Sequence, residues 1–128
     1  MVLDASVLIA LMHPDDVHYA DAVAMVRRGA IAGGLLAHPM TVAESAVGAA
    51  GHGRLDQMRR ALDGLGLATA ESDPDQPWRL AALRAEARLP LPDCCVLDLA
   101  IVSGGVLATF DTRLAVAARR PGVTLAAA

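Results

Sequence analysis

The 128-residue sequence contains no lysine, only two cysteines and only 2% aromatic residues. The cysteines are adjacent, Cys94 and Cys95. Neighbours in sequence seldom form a structural disulfide, and two sulfurs are too few for a zinc site. We therefore expect both to be small buried hydrophobic side chains. A chain of this length buries enough surface to fold without a disulfide or a structural metal.

Positive charge and long apolar runs are also scarce. The 11 arginines are outnumbered by 14 acidic residues, and the resulting net charge of -3 argues against a non-specific coat on nucleic acid or anionic membrane. The longest stretch without a charged side chain, residues 29–43, is shorter than the roughly 18 residues that a membrane span requires. Met1 leads directly into Val2-Leu3-Asp4 without a basic segment, so we expect no secretory signal and a cytoplasmic location.

Short apolar runs alternate with helix-length amphipathic segments, a pattern typical of βα units. It predicts one domain over residues 1–128, of the α/β class, with a central and mostly parallel sheet. Strands are predicted at 1–3, 35–37, 67–70 and 106–110, with a short final strand at 123–125. Helices are predicted at 5–12, from Asp15 or Asp16 to about residue 29, and at 41–50, 54–65, 78–88, 94–103 and 113–119. Residues 71–77 and 89–92 are predicted to be loops.

The predicted arrangement of strands and helices makes four acidic residues candidates for one site. Asp4 and Asp111 come directly after predicted strands, and the carboxyl ends of parallel strands meet at one edge of a sheet. Glu44 lies one turn into the helix after the second strand. Asp93 stands at the start of the helix before the fourth strand, where the helix dipole favours an anion. We therefore expect the four carboxylates to converge.

Such a cluster needs a compensating positive charge. Two carboxylates about 4 Å apart repel by about 4 kcal/mol at an effective dielectric constant of about 20. The repulsion is relieved by a cation or by protons held on raised pKa values. Oxygen ligands alone suit Mg²⁺ or Mn²⁺ better than Zn²⁺. With such an ion, in-line attack of water on a phosphodiester would leave a 5′-phosphate and a 3′-hydroxyl.

The residues around these acids resemble the PIN domain family, and more closely its VapC-type toxin branch. The matching segments are Asp4-Ala5-Ser6, Thr41 with Glu44, the run Leu-Pro-Asp-Cys-Cys-Val-Leu at 91–97, and Ala-Thr-Phe-Asp at 108–111. The resemblance covers residues 2–125. It implies a PIN-like three-layer α/β/α sandwich and an endoribonuclease that depends on Mg²⁺ or Mn²⁺. It also implies a cognate VapB-type antitoxin and a homodimer.

Residue by residue, the resemblance implies that Asp4, Glu44, Asp93 and Asp111 form the family's catalytic and metal-binding quartet. Ser6 and Thr109 match its hydroxyl positions. We expect Ser6 to hold Asp4 or a water, and Thr109 to fix Asp111 or a phosphate oxygen.

The best candidates for RNA contact are arginines close to these acids. Arg84 and Arg88 lie one helical turn apart shortly before Asp93, and Arg113 follows Asp111 by two residues. Because aromatic residues are so few, stacking on bases can contribute little of the affinity.

Asp98 departs from the expected pattern because it interrupts an apolar helix. It lies about 140° around that helix from Asp93, so we expect it to point away from the four acids.

Other interpretations of the same residues compete with a nuclease. Taken singly, Asp4 and Asp93 could simply cap helices. A response-regulator receiver requires a lysine after a late strand, and this chain has none. A haloacid-dehalogenase-like phosphatase requires a second aspartate two positions after the first, where this chain has Ser6. A PIN-like module that binds metal or a partner without cleaving RNA stays open.

Overall fold

The computed structural model describes every residue from Met1 to Ala128 and contains one four-stranded sheet. The strands are β1 (Val2–Leu3), β2 (Leu35–Ala37), β3 (Leu67–Thr69) and β4 (Leu107–Ala108). They are ordered β3-β2-β1-β4, and every pairing is parallel. The central position of β1 means that the residue after it, Asp4, emerges between the ends of two neighbouring strands. The predicted α/β class with a parallel sheet is confirmed.

Seven helices connect and cover the strands. They are α1 (Ala5–Met12), α2 (Tyr19–Ile31), α3 (Pro39–Gly51), α4 (Leu55–Gly64), α5 (Gln76–Ala87), α6 (Leu91–Ser103) and α7 (Thr112–Arg119). None of them is both long enough and apolar enough to cross a bilayer.

The two adjacent residues of β1 pack in two separate hydrophobic cores, because successive side chains of a strand point to opposite faces of the sheet. Leu3 packs with residues of α1, α2 and α4, including Val7, Met25 and Leu62. Val2 packs on the other face with residues of α6 and α7, including Leu97 and Leu114. The sheet is therefore enclosed between two helical layers, as a three-layer α/β/α arrangement requires. Cys94 and Cys95 are buried free thiols, as expected.

The fourth strand is much shorter than its apolar run predicts. Only Leu107 and Ala108 pair in the sheet, whereas the predicted strand extended to Phe110. The backbone N–H of Phe110 instead donates to the Ser6 hydroxyl at 3.0 Å, and that of Asp111 donates to the Thr109 hydroxyl at 2.9 Å. Side chains thus replace the strand partners at the point where the site begins. The predicted strand at 123–125 is reduced to a single bridge between Leu125 and Leu107.

Three helix starts also differ from the sequence prediction. Proline is tolerated in the first turn of a helix because the N–H it lacks would have no partner there. Accordingly α3 begins at Pro39 rather than at residue 41, α5 at Gln76 rather than at 78, and α6 at Leu91 rather than at 94. Asp93 therefore lies within the first turn of α6 and does not cap it.

The second helix begins later than predicted. It starts at Tyr19, and neither Asp15 nor Asp16 caps it. Asp16 instead accepts a hydrogen bond from the backbone N–H of His18 at 2.8 Å and so stabilises the turn before the helix.

Candidate active site

Asp4 is fixed at the carboxyl end of β1 by its backbone and by one side-chain oxygen. Its N–H donates to the carbonyl of Ala108 at 3.0 Å, and the residue is 5% exposed. Its Oδ2 accepts hydrogen bonds from the Ser6 hydroxyl at 2.6 Å and the Thr109 hydroxyl at 2.8 Å. The Ser6 N–H also reaches Oδ2, at 3.4 Å, so Asp4 caps α1 as well. The other oxygen, Oδ1, accepts no hydrogen bond from the protein and is available to a ligand.

The two hydroxyl groups join the ends of β1 and β4. The Ser6 hydroxyl donates to Asp4 and accepts from the Phe110 N–H. The Thr109 hydroxyl donates to Asp4 and accepts from the Asp111 N–H. Ser6 thus holds Asp4, one of the two roles predicted for it. The Thr109 hydroxyl also holds the Asp4 carboxylate, and it contacts Asp111 only at the backbone N–H of that residue.

Asp111 lies at the amino end of α7 and is exposed. Its Oδ1 accepts from the backbone N–H groups of Arg113, at 2.7 Å, and Leu114, at 2.9 Å. These are first-turn donors that have no partner within the helix. The cap fixes the carboxylate at the edge where β1 and β4 end.

Glu44 on α3 and Asp93 on α6 complete the group. Partial burial raises the pKa of the Glu44 carboxyl, and the negative charges of Asp4 and Asp93 raise it further. Partial burial likewise raises the pKa of Asp93, as do the charges of Asp4 and Asp111, while the Arg113 guanidinium acts in the opposite direction. Asp4 and Asp93 thus lie close enough to Glu44, and Asp4 and Asp111 close enough to Asp93, for their negative charges to act on one another.

The chemistry of this donor set fits a hard divalent cation. Asp93 and Glu44 form no salt bridge, and no hydrogen bond contributes to their pKa values. As the side chains stand, no group of three His, Cys, Asp or Glu residues is arranged to hold a metal ion. Mg²⁺ prefers oxygen ligands and keeps several of its waters, so carboxylates that turn toward it on binding would suffice. The Oδ1 atom of Asp4 and the carboxylates of Asp93 and Glu44 are the groups that would hold it.

The three predicted RNA-contacting arginines differ in their surroundings. Arg113 lies close enough to Asp93 to influence its pKa. Arg88 ends α5 in the left-handed conformation, with φ of 55°. The guanidinium of Arg84 donates to the carbonyl of Leu89 and is therefore engaged within the loop that follows α5. Thr41, a residue of the resemblance motif, has a fully buried hydroxyl that pairs with nothing.

Asp98 points away from the acids, as the helix geometry predicts. It is buried at 2% exposure and accepts from Arg79 and from the amide of Gln76 on α5. The Gln76 carbonyl oxygen lies 2.9 Å from Nε2 of His38, whose Nδ1 accepts from the backbone N–H of Met40 at the start of α3. That cap places the proton of the neutral imidazole on Nε2.

Sequence reasoning missed this network, which connects the two helices that carry Glu44 and Asp93. An acid inside an apolar helix was the available signal, because a buried charge requires a partner. The partner could not be identified without the packing of α5. Sequence reasoning also missed the stacking of the His18 ring on Phe110, with ring centroids 4.3 Å apart.

Comparison with known proteins identifies the family. The PIN domain family matches residues 1–120. Among solved structures, the chain is similar to the toxin-antitoxin complex from Klebsiella pneumoniae, with 26% identity, a TM-score of 0.68, and coverage of 87% of this chain and 86% of that one. It also shares its fold with the crystal structure of PAE2754 from Pyrobaculum aerophilum, with 22% identity, a TM-score of 0.64, and coverage of 96% of this chain and 81% of that one. No curated protein sequence matches it. The match over nearly the whole chain, together with the acids at the sheet edge, means that this protein belongs to the PIN domain family, whose members are generally nucleases.

Proposed function

We propose that this protein is a divalent-metal-dependent endoribonuclease and the toxin of a VapBC-type toxin-antitoxin pair. The observation that carries the proposal is the convergence of Asp4, Glu44, Asp93 and Asp111, whose charges act on one another without an arginine salt bridge to any of them. Such mutual repulsion is typical of functional sites, where a ligand or a reaction makes use of it. Family membership supports phosphodiester hydrolysis as that reaction.

Each side chain has a distinct part in this proposal. Asp4 is the rigid anchor, because the Ser6 and Thr109 hydroxyls occupy Oδ2 and leave Oδ1 for the ion. Asp93 and Glu44 are free to rotate toward the ion, since no salt bridge restrains them. The cap on α7 holds Asp111. A bound Mg²⁺ or Mn²⁺ supplies Lewis acidity at the phosphate and lowers the pKa of a water.

An antitoxin partner is the second part of the proposal. The structure from Klebsiella pneumoniae is a toxin-antitoxin complex, and its similarity covers most of both chains. An unrestrained ribonuclease would damage its own cell, so a cognate VapB-type inhibitor is expected to bind this chain. The homodimer implied by the family resemblance stays a prediction that light scattering on the purified protein can check.

The decisive experiment measures cleavage of a fluorescent single-stranded RNA by the wild-type protein in Mg²⁺, in chelator, and after Asp93→Asn. Asp93 is the best acid to replace, because Asp4 and Asp111 also cap helices and their loss would disturb the fold. Asp63→Asn, at an exposed position on α4, is the matched control. We expect cleavage in Mg²⁺ by the wild type and by the control, and its loss in chelator and in Asp93→Asn.

The products separate the remaining possibilities. Attack by water predicts 5′-phosphate and 3′-hydroxyl ends, because the ribose 2′-hydroxyl is not the nucleophile. A 2′,3′-cyclic phosphate would exclude this mechanism. Metal binding without any cleavage would instead favour the catalytically silent module, and cleavage that survives Asp93→Asn would refute the assignment of the site.

A further inference from the structure

A groove of ≈ 760 Å³ runs between the carboxyl end of α5 and one side of α7, with α6 at its base. Its floor is aliphatic and includes Leu83, Leu97 and Val116. This volume lies within the roughly 300–1,000 Å³ that is typical of sites for small molecules. None of the four acids lines the groove, so it is distinct from the candidate active site.

The rim of the groove is positively charged although the protein as a whole is acidic. Arg88, Arg113 and Arg120 lie on it, against a single acid, Glu86. Glu86 forms an ion pair with Arg120 at 2.9 Å, but both side chains are largely exposed. An exposed pair of this kind contributes little energy, so Arg120 can exchange Glu86 for another anion. The rim is thus complementary to a ligand that carries several negative charges.

The groove lies next to Asp111, one of the four acids. Thr112 and Arg113, which line it, directly follow Asp111, and the Arg113 charge acts on Asp93. A chain-like ligand whose phosphate lies at the acids would therefore place its neighbouring unit in the groove. Arg88 gives a second reason to expect an anionic ligand in the groove. It places a charged side chain on the rim at a helix end with positive φ, where glycine is the usual residue.

We propose that this groove binds the nucleotide of single-stranded RNA that flanks the cleaved phosphate. The arginines on the rim contact the backbone phosphates, and the base lies on the aliphatic floor between guanidinium groups. Single-stranded RNA suits such a groove because unstacked bases can be splayed out and stacked on arginine planes where aromatic residues are lacking. The inference rests on the proposed nuclease function and adds the location of its substrate.

The test compares two neighbouring arginines on α7. Arg120 lies on the rim, whereas Arg119 is exposed and does not line the groove, so Arg120→Glu and Arg119→Glu make the same change of charge. Binding is measured by fluorescence anisotropy in chelator, where no metal-dependent cleavage occurs, with a labelled RNA of about ten nucleotides. We expect Arg120→Glu to weaken binding about tenfold and to reduce the slope of log K against log salt by about one. Arg119→Glu should stay within about twofold of the wild type, because it loses no phosphate contact.

A second variant tests the floor of the groove. Val116 lines the groove and is 58% exposed, so Val116→Glu adds a negative charge to the groove without disturbing the core. It should also weaken RNA binding by about tenfold, through repulsion of the phosphates. In Mg²⁺ both groove variants should raise KM and leave kcat close to that of the wild type, since they touch none of the acids.

The outcomes distinguish this inference from the proposed function. Cleavage by the wild type, with RNA binding unchanged by Arg120→Glu and Val116→Glu, would overturn the groove and leave the nuclease intact. Absence of RNA binding by the wild type in chelator would overturn it too. If Val116→Glu keeps its RNA affinity but loses a co-expressed partner protein, the groove is a protein-docking surface and the inference is wrong. Groove-dependent RNA binding without cleavage in Mg²⁺ would support the groove and contradict the nuclease.

Discussion

Arg79 and Asp98 form a bidentate ion pair that joins α5 to α6, with Nε 2.7 Å from Oδ1 and Nη2 3.0 Å from Oδ2. The Asp98 side chain is only 3% exposed, whereas that of Arg79 is 35% exposed. Gln76 adds a third hydrogen bond to the carboxylate at 3.2 Å. The acid that interrupts the apolar sequence of α6 is therefore compensated from the neighbouring helix.

Removing one partner of this pair should destabilise the fold. Arg79→Met leaves the Asp98 charge buried with only one amide donor, so we expect the free energy of unfolding to fall by more than the loss of an exposed ion pair costs. Urea denaturation followed by circular dichroism measures the change.

Two further variants control this prediction. Arg120→Met breaks the exposed pair with Glu86 and should cost at most about 1 kcal/mol. The double variant Arg79→Met with Asp98→Leu removes both charges and should recover most of the lost stability. Equal losses in Arg79→Met and Arg120→Met would show that the buried pair does not stabilise the packing of α5 on α6.

The hydroxyls that hold Asp4 should matter for metal affinity more than for folding. Thr109→Val removes one donor to Oδ2 and leaves the Asp111 N–H without its acceptor. We expect metal affinity to fall by about 10–100-fold, the usual effect of losing a group that orients a ligand. Thr109→Ser keeps the hydroxyl and should retain most of the affinity. Isothermal titration with Mn²⁺ measures both, and equal affinity in the valine and serine variants would contradict this role.

The like charges at the site predict a specific dependence of stability on pH in chelator. The pKa values of Asp93 and Glu44 are raised in the folded state, so the folded protein binds these protons more tightly than the unfolded chain. Their contribution favours the fold below the ordinary carboxyl pKa and is lost as pH rises through the higher folded values. Asp93→Asn cannot lose this proton, so its stability relative to the wild type should increase between about pH 4 and about pH 7.

Urea denaturation in chelator across that range tests the prediction. Mg²⁺ at neutral pH should then stabilise the wild type more than Asp93→Asn, because a ligand stabilises the state that binds it. A stability difference that stays constant or shrinks as pH rises would show that Asp93 does not lie among like charges.

Arg88 gives a prediction about the backbone. Its left-handed conformation costs an L residue about 1–2 kcal/mol, from which the greater flexibility of glycine in the unfolded chain must be subtracted. Arg88→Gly should therefore stabilise the protein by about 0.5–1 kcal/mol. Arg84→Gly, inside α5, should instead destabilise it by about 1 kcal/mol or more, because it also loses the bond to Leu89. Thermal unfolding that ranks the two variants in the opposite order would contradict this reading of the helix end.

The sequence predicts the parallel sheet and the four acids because both depend on local patterns. Apolar runs place Asp4 directly after β1 and Asp111 shortly after β4, where it caps α7 instead of following the strand directly as predicted. The early end of β4 was not predictable, because it depends on the Ser6 hydroxyl, which lies 104 residues away from the Phe110 N–H that it binds. The partner of Asp98 was hidden for the same reason: α5 had to be packed on α6 before Arg79 could be recognised.

Direct measurement of Mn²⁺ binding shows whether the converging carboxylates form a site for a divalent cation. Electron paramagnetic resonance titration of the wild type, Asp93→Asn, Glu44→Gln and the exposed control Asp63→Asn is the experiment. We predict that the wild type and the control bind Mn²⁺ equally and that both site variants bind at least about tenfold more weakly, a loss on the order of 1.4 kcal/mol. Equal binding by all four proteins, or none by the wild type, would mean that these carboxylates do not form a site for a divalent cation.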